Sequence, residues 1–281
     1  MIVRVPATSA NLGPGYDCMG IALNLYNDFE FIPADKTDHK TKNSLMYKSV
    51  DYFYKKNNLT TPDLEIKVTG DIPMSRGLGS SAACIVSSLI FANKNSGLNL
   101  NKDELLKYAT EIEGHPDNVA PALFGGHICS FLEADKIYYY KTHVDEKFVI
   151  YLLIPDFELK TKAAREAVPK EIPLANAVSN ISRANLIAQA LRTGDFNLLR
   201  GSAKDTLHEP YRKKLIRDYD VLKEAAKSAG AVLFISGAGP SLMVIKDGKS
   251  PELLEILKNT ETQDNWEIKE LRPIDEGAEI I

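Results

Sequence analysis

Between Pro73 and Ala83 the chain reads Pro-Met-Ser-Arg-Gly-Leu-Gly-Ser-Ser-Ala-Ala, joining a strand-like segment, Leu64 to Ile72, to a long apolar helix from Ala82 to about Asn95. Gly77 and Gly79 allow the backbone to approach a ligand without a Cβ in the way. Ser80 and Ser81 stand where helix caps and first-turn residues sit. A helix start presents unpaired N–H groups and the positive end of the macrodipole, which suits a phosphate. No Gly-Lys-Ser/Thr follows the glycines and there is no GxGxxG, so the run is neither a Walker A loop nor a dinucleotide fingerprint. Taken alone, it would also serve as an ordinary strand-to-helix loop.

Other segments concentrate polar groups. Pro6 to Asp17 (Pro-Ala-Thr-Ser-Ala-Asn-Leu-Gly-Pro-Gly-Tyr-Asp) is a turn-rich stretch whose Asp17 offers a carboxylate to an ammonium group. Glu111-Ile-Glu-Gly-His-Pro-Asp-Asn118 packs two Glu, an Asp, a His and an Asn into eight residues. Glu111 lies at the edge of an apolar helical face, where an acid can ligate a hard cation such as Mg²⁺ with phosphate oxygens. His115 has no second histidine at ligand spacing and reads as a turn or capping residue. Arg165 and Arg212 come from distant segments, and two planar guanidinium forks can clamp one carboxylate. Ser236-Gly-Ala-Gly-Pro-Ser241 needs a tight turn between two apolar strands, either as a plain hairpin or with its N–H groups against a ligand.

The elements that must carry these groups alternate between strand and helix, which argues for a mixed α/β or α+β architecture. Val3–Val5 and Ile21–Ile32 read as strands, Asn43–Asn57 as a helix, and Asn101 as the start of another with Asp103 and Glu104 in its first turn. Strand patterns follow at Gly125–Phe131, Lys136–Lys141 and Phe148–Ile154, then a mostly helical stretch from Thr161 to Ala229. A strand–turn–strand unit spans Val232–Lys246, and a short helix (Pro251–Lys258) and a strand (Trp266–Leu271) close the chain. Pro155 marks a division into residues 1–154 and 155–281.

At 281 residues, with 44% hydrophobic and 26% charged residues, the chain suits one large domain or two closely packed ones. A net charge of −4 with scattered Lys and Arg argues against nucleic acid as a partner. No apolar run approaches the ~18–20 residues of a spanning helix, and the first residues read as a strand and not a signal peptide. Three widely spaced cysteines, Cys18, Cys84 and Cys129, without metal spacing fit free thiols in the cytoplasm.

In order along the chain, Pro6–Asp17, Arg76–Ala83, His115–Gly126 and Ser236–Ser241 together resemble the homoserine kinase branch of the superfamily that includes galactokinases, mevalonate kinases and phosphomevalonate kinases. Asn-Val-Ala-Pro (118–121) and Thr-Lys-Ala-Ala-Arg (161–165) point to that branch. The resemblance implies an α+β two-domain small-molecule kinase: a ribosomal protein S5 domain 2-like N-terminal nucleotide-binding domain and a ferredoxin-like C-terminal domain that completes the substrate site. It implies ATP, Mg²⁺ and L-homoserine as ligands, O-phospho-L-homoserine as product on the way to threonine, and a homodimer. It further implies that Asn11 and Asp17 hold the amino end of the substrate, with His115 nearby. Thr161, Arg165 and Arg212 would hold its carboxylate, aided by backbone at Gly237 to Gly239. Pro73, Met74, Ser75, Arg76, Gly77, Leu78, Gly79, Ser80, Ser81, Ala82 and Ala83 would wrap the triphosphate, and Ser81 and Glu111 would bind Mg²⁺. Asn118 would contact the reacting hydroxyl, with Asp117 beside it either as a general base or as a bystander to base-free transfer. No motif marks the adenine contacts; the polar segment around Lys55–Thr61 is where they would fall. A kinase of the same superfamily for another hydroxyl compound, such as mevalonate or shikimate, and a catalytically silent nucleotide-binding regulator are the competing readings.

Overall fold

A computed structural model describes all 281 residues, Met1–Ile281. β1 (Ile2–Ala10) and β2 (Met19–Pro33) form an antiparallel pair running from Ile2 opposite Glu30 to Ala10 opposite Gly20, with an irregularity between Pro6 and Ala7. Leu25, Asn27, Phe29 and Phe31 of β2 point inward while Asn24, Tyr26, Asp28 and Glu30 face outward, the period-two pattern of a half-buried strand. The helix expected over Asn43–Asn57 is α2 (Leu45–Lys56), and a further short helix, α1 (His39–Asn43), precedes it. Ser44 between them is extended and accepts the Tyr47 N–H, so it caps α2.

β3 (Leu64–Gly70) adds to β2, and α3 (Ser80–Ser96), α4 (Lys102–Glu113) and α5 (Pro116–Phe124) follow. Asn101 and Glu104 close a capping box at the start of α4. α5 was not legible as a helix, because Pro116 and Pro121 punctuate it. Pro116 sits in its first turn, where no intrahelical N–H is needed, and Pro121 lies against β2 at Gly20. A Cβ on Gly20 would fall 1.9 Å from the Asp117 carbonyl oxygen, so this glycine is what lets α5 lie on the sheet. β4 (His127–Glu133) and β5 (Lys136–Thr142) form a hairpin.

The second half contains β6 (Phe148–Pro155), α6 (Thr161–Glu166), α7 (Leu174–Thr193), α8 (Phe196–Ser202), α9 (Glu209–Arg212), α10 (Tyr219–Ser228), β7 (Val232–Ile235), β8 (Leu242–Asp247), α11 (Pro251–Asn259), β9 (Trp266–Leu271) and β10 (Glu279–Ile280). Two antiparallel sheets result. One has the order β10-β1-β2-β4-β5 with β3 also on β2; the other has the order β7-β8-β6-β9. β6 thus lies inside the second sheet, so the division between the sheets falls in residues 143–147 and not at Pro155. The last strand returns to the first sheet beside β1.

All of β6 is buried, because both of its faces are covered. Val149, Tyr151 and Leu153 pack under α10 and α11 with Leu222 and Leu257. Phe148, Ile150, Leu152 and Ile154 face the core shared with the first sheet. No helix is long and apolar enough to cross a membrane.

Candidate active site

The glycine loop lies between the two sheets, and the protein itself explains both glycines. Gly79 has φ +69° and a Cβ there would sit 2.0 Å from Thr8 Oγ1; Gly77 has φ +72° and its Cβ would sit 2.3 Å from the Ser236 carbonyl oxygen. The glycines therefore seat the loop on β1 and on the Ser236–Ser241 turn. The amides of the loop are left without partners. No N–H from Met74 to Ala82 donates within the chain, and the first helical bond runs from Ala83 N to Gly79 O at 2.8 Å. Arg76 is turned away, donating to Pro155 O at 3.0 Å and Asp156 O at 3.1 Å, which pins the loop to the end of β6. Met74, Ser75, Arg76, Gly77, Leu78, Gly79, Ser80 and Ser81 line a cleft of about 470 Å³. Pro73 does not line it, and Ala82 and Ala83 are buried in the core beneath.

At the helix end of the loop Ser81 Oγ donates to Glu113 at 2.7 Å. Burial lifts the Glu113 carboxyl above the usual range, against the Ser81 bond that favours its charge. Glu111, expected as the metal ligand, is elsewhere: its carboxylate accepts from Tyr52 Oη at 2.9 Å and pairs with Lys56. Two residues along a helix are about 200° of rotation, so α4 cannot aim both acids at Ser81. The sequence holds both glutamates in one run, and only the phase of α4 selects Glu113. Two hard oxygen donors beside a row of unpartnered amides would suit Mg²⁺.

Beyond the loop the expected substrate residues converge. Asp17 accepts two bonds from Arg165, at 2.9 and 3.0 Å. Burial works against the Arg165 charge, and the Asp17 bond outweighs it and raises the guanidinium pKa. His115, at the N-terminus of α5, meets Asp117 Oδ1 through Nδ1 at 2.6 Å and Arg165 through Nε2. Burial opposes and the Asp117 bond favours the charged ring, with a net upward shift. A guanidinium can only donate, so the Arg165 contact needs a lone pair on Nε2 and the ring proton on Nδ1; charging the ring, which Asp117 favours, would break that contact. Asp17, His115 and Asp117 are close enough to surround a cation, yet the Arg165 guanidinium already bonds Asp17 and His115 there.

Arg212 is almost fully buried and has no carboxylate partner. It donates to Ala164 O at 3.0 Å and Gly237 O at 3.1 Å, lies over the Tyr16 ring, and burial lowers its pKa. A buried cation bonded only to neutral groups is a site for an anion. Asn118 accepts from Thr8 Oγ1 at 2.9 Å through its carbonyl and reaches Asp117 Oδ1 with its amide nitrogen at 3.5 Å, which leaves one N–H for the cleft. Asn11 serves the frame: it accepts the Asp17 N–H at 2.9 Å and donates to Gly237 O at 2.5 Å.

Gly237 N is taken by Ala10 O and Gly239 N by Ser236 O, and Gly239 is off the cleft; the unpartnered amide of the turn is Ala238. Thr161, at the start of α6, lines the cleft. Ser44, Leu45 and Met46 line it at the start of α2; the polar segment Lys55–Thr61 does not. Cys84 also lines it, but burial pushes its thiol up to about 11, which excludes it as a nucleophile near neutral pH.

A cleft that gathers a carboxylate and two guanidinium groups at one end and a loop with unpartnered backbone N–H groups at the other suits a small-molecule kinase. Residues 44–126 match the GHMP kinases N terminal domain and residues 187–260 the GHMP kinases C terminal domain. The chain belongs to the GHMP kinase family. It is 43% identical to the homoserine kinase of Clostridium botulinum over 99% of this chain and 97% of that protein. It is 42% identical to the homoserine kinase of Clostridium beijerinckii, over 99% and 98%. The crystal structure of homoserine kinase from Cytophaga hutchinsonii covers 100% of this chain and 97% of its own with a TM-score of 0.86 at 27% identity.

Proposed function

We propose that this chain is a homoserine kinase that transfers the γ-phosphoryl group of ATP to the hydroxyl of L-homoserine, giving ADP and O-phospho-L-homoserine. The observation that carries the reading is the charge set at one end of the cleft. Asp17 offers a carboxylate for an ammonium group, and Arg165 with the anion-free Arg212 offers guanidinium groups for a carboxylate. Mevalonate and shikimate carry a carboxylate but no ammonium, and would leave Asp17 without use.

The amides of Met74 to Ala82 cradle the triphosphate, and Ser44, Leu45 and Met46 receive the base. Ser81 and Glu113 would hold Mg²⁺, which supplies counter-charge to the phosphates when bound. Thr161 and the Ala238 amide complete the carboxylate pocket. Asn118, fixed by Thr8, points its amide N–H at the substrate hydroxyl and orients it. Transfer through a loose transition state depends mainly on positioning. Asp117 Oδ1 meets both His115 and the Asn118 amide, so Asp117 orients the site, and with positioning carrying the transfer it is given no role as a base. The three unpaired cysteines accord with a cytoplasmic location.

The test is ADP release with Mg-ATP and L-homoserine, D-homoserine, L-serine, mevalonate, shikimate or galactose. Turnover confined largely to L-homoserine is expected. ADP formed only with another compound would leave the kinase and remove the amino-acid pocket; no turnover in protein that binds Mg-ATP would leave a nucleotide-binding regulator.

A further inference from the structure

Asp17 and Arg165 reach the substrate end of the cleft from opposite halves of the chain, and there they bind each other. Arg165 Nη1 donates to Asp17 Oδ2 at 3.0 Å and Nη2 to Asp17 Oδ1 at 2.9 Å, with both side chains about one-third exposed. While this bidentate pair holds, the negative charge meant for an ammonium and one positive charge meant for a carboxylate neutralise each other. Arg212 alone stays without an anion.

We propose that the Asp17–Arg165 pair is a placeholder that only a ligand carrying both charges displaces, so that recognition of the two ends of an amino acid is jointly obligatory. This rests on the homoserine reading above. A ligand with an ammonium and a carboxylate breaks one internal ion pair and forms a new one at each end. A ligand with a single charge that draws on Asp17 or Arg165 must break the same pair, satisfies one partner and strands the other in a partly buried pocket; a lone carboxylate that leaves the pair closed meets Arg212 alone, half of the clamp. Stranding a charged group costs more than losing a neutral hydrogen bond. One charge on the ligand therefore gains little over none, and the second yields most of the affinity at once. Two independent subsites would instead give each charge its own share. The pair thus acts against hydroxy acids and amino alcohols, a repulsive element added to the attractive contacts.

The experiment compares kcat/KM for L-homoserine, 4-hydroxybutanoate (no ammonium), 3-aminopropan-1-ol (no carboxylate) and propan-1-ol (neither). With the wild-type enzyme the two singly charged compounds are expected within about tenfold of propan-1-ol, with L-homoserine far above all three. In Asp17→Asn, which releases Arg165, use of 4-hydroxybutanoate should rise by about tenfold or more while that of L-homoserine falls about tenfold to a hundredfold. Arg165→Met should in the same way raise use of 3-aminopropan-1-ol.

Wild-type values in which each charge contributes independently, near the logarithmic midpoint, would overturn the placeholder and leave the homoserine reading standing. So would an unchanged or lower rate with 4-hydroxybutanoate in a folded Asp17→Asn enzyme. The wild-type series needs no variant to fold. No ADP from L-homoserine in the wild type would overturn the substrate reading and the placeholder with it.

Discussion

At the scale of single residues, the site depends on which of two neighbouring acids faces the phosphate loop. Glu113 bonds Ser81, and Glu111 bonds Tyr52 and Lys56 on the far side of α4. Glu113→Ala should lower kcat/KM by about 10²-fold or more and shift the Mg²⁺ dependence of ADP release to higher concentration, since a metal's counter-charge is worth several kcal/mol. Glu111→Ala removes a partly exposed ion pair worth about 0–1 kcal/mol, and its Mg²⁺ titration should overlay the wild type. A reversal of these two results would return the metal to Glu111. For Asp117, base-free transfer predicts that Asp117→Asn lowers kcat by less than about 10³-fold with substrate binding intact. A larger loss in single-turnover measurements would make Asp117 the base.

At the scale of elements, the glycine loop, β1 and α5 are linked through Thr8. Gly79 leaves no room for a Cβ beside the Thr8 hydroxyl, and that hydroxyl holds Asn118. Gly79→Ala would strain a left-handed residue by about 1–2 kcal/mol and push Thr8 as well. The variant should therefore show a higher KM for ATP together with a lower kcat. Thr8→Ala frees Asn118 without touching the loop, so it should lower kcat by roughly tenfold, the loss of about one hydrogen bond, at an unchanged KM for ATP. Steady-state kinetics on the two variants check this; a Thr8→Ala enzyme with wild-type kcat would separate Asn118 from the chemistry.

At the scale of the whole molecule, acid should destabilise the protein in part through His127. This residue is fully buried between β4 and β5, touching Thr142 Oγ1 at 3.0 Å, and burial lowers its pKa from 6.5 to about 4. The unfolded chain binds the proton below pH 6.5 and the folded chain refuses it until about pH 4. Stability is thus whole above that window and falls as pH drops through it, by roughly 3 kcal/mol in total at 1.36 kcal/mol per unit. Urea melts at pH 7.5, 5.5 and 4.5 should show this loss, and His127→Gln should remove most of it. The buried His208, also shifted down by burial, stays in both proteins. Equal slopes in the two would assign the acid sensitivity elsewhere.

Much of this was legible before any coordinates, because it is local. Alternating polar and apolar residues mark β2, a continuous apolar run marks β6, the Asn101–Glu104 box marks α4, and the loop chemistry of Gly77 to Ser81 suits a phosphate. Those signals are written in adjacent residues. What stayed hidden depends on packing: α5, whose prolines break the local pattern and which holds as a helix packed over Gly20, and β6, whose sheet is chosen by β8 and β9. The residue types alone offered a loop suited to phosphate and the charges that an amino acid would need. Only the tertiary structure decided that Glu113 and not Glu111 meets Ser81, and that Asp17 and Arg165 pair. Helix phase and the meeting of segments 148 residues apart are properties of the packed chain and not of any stretch of sequence.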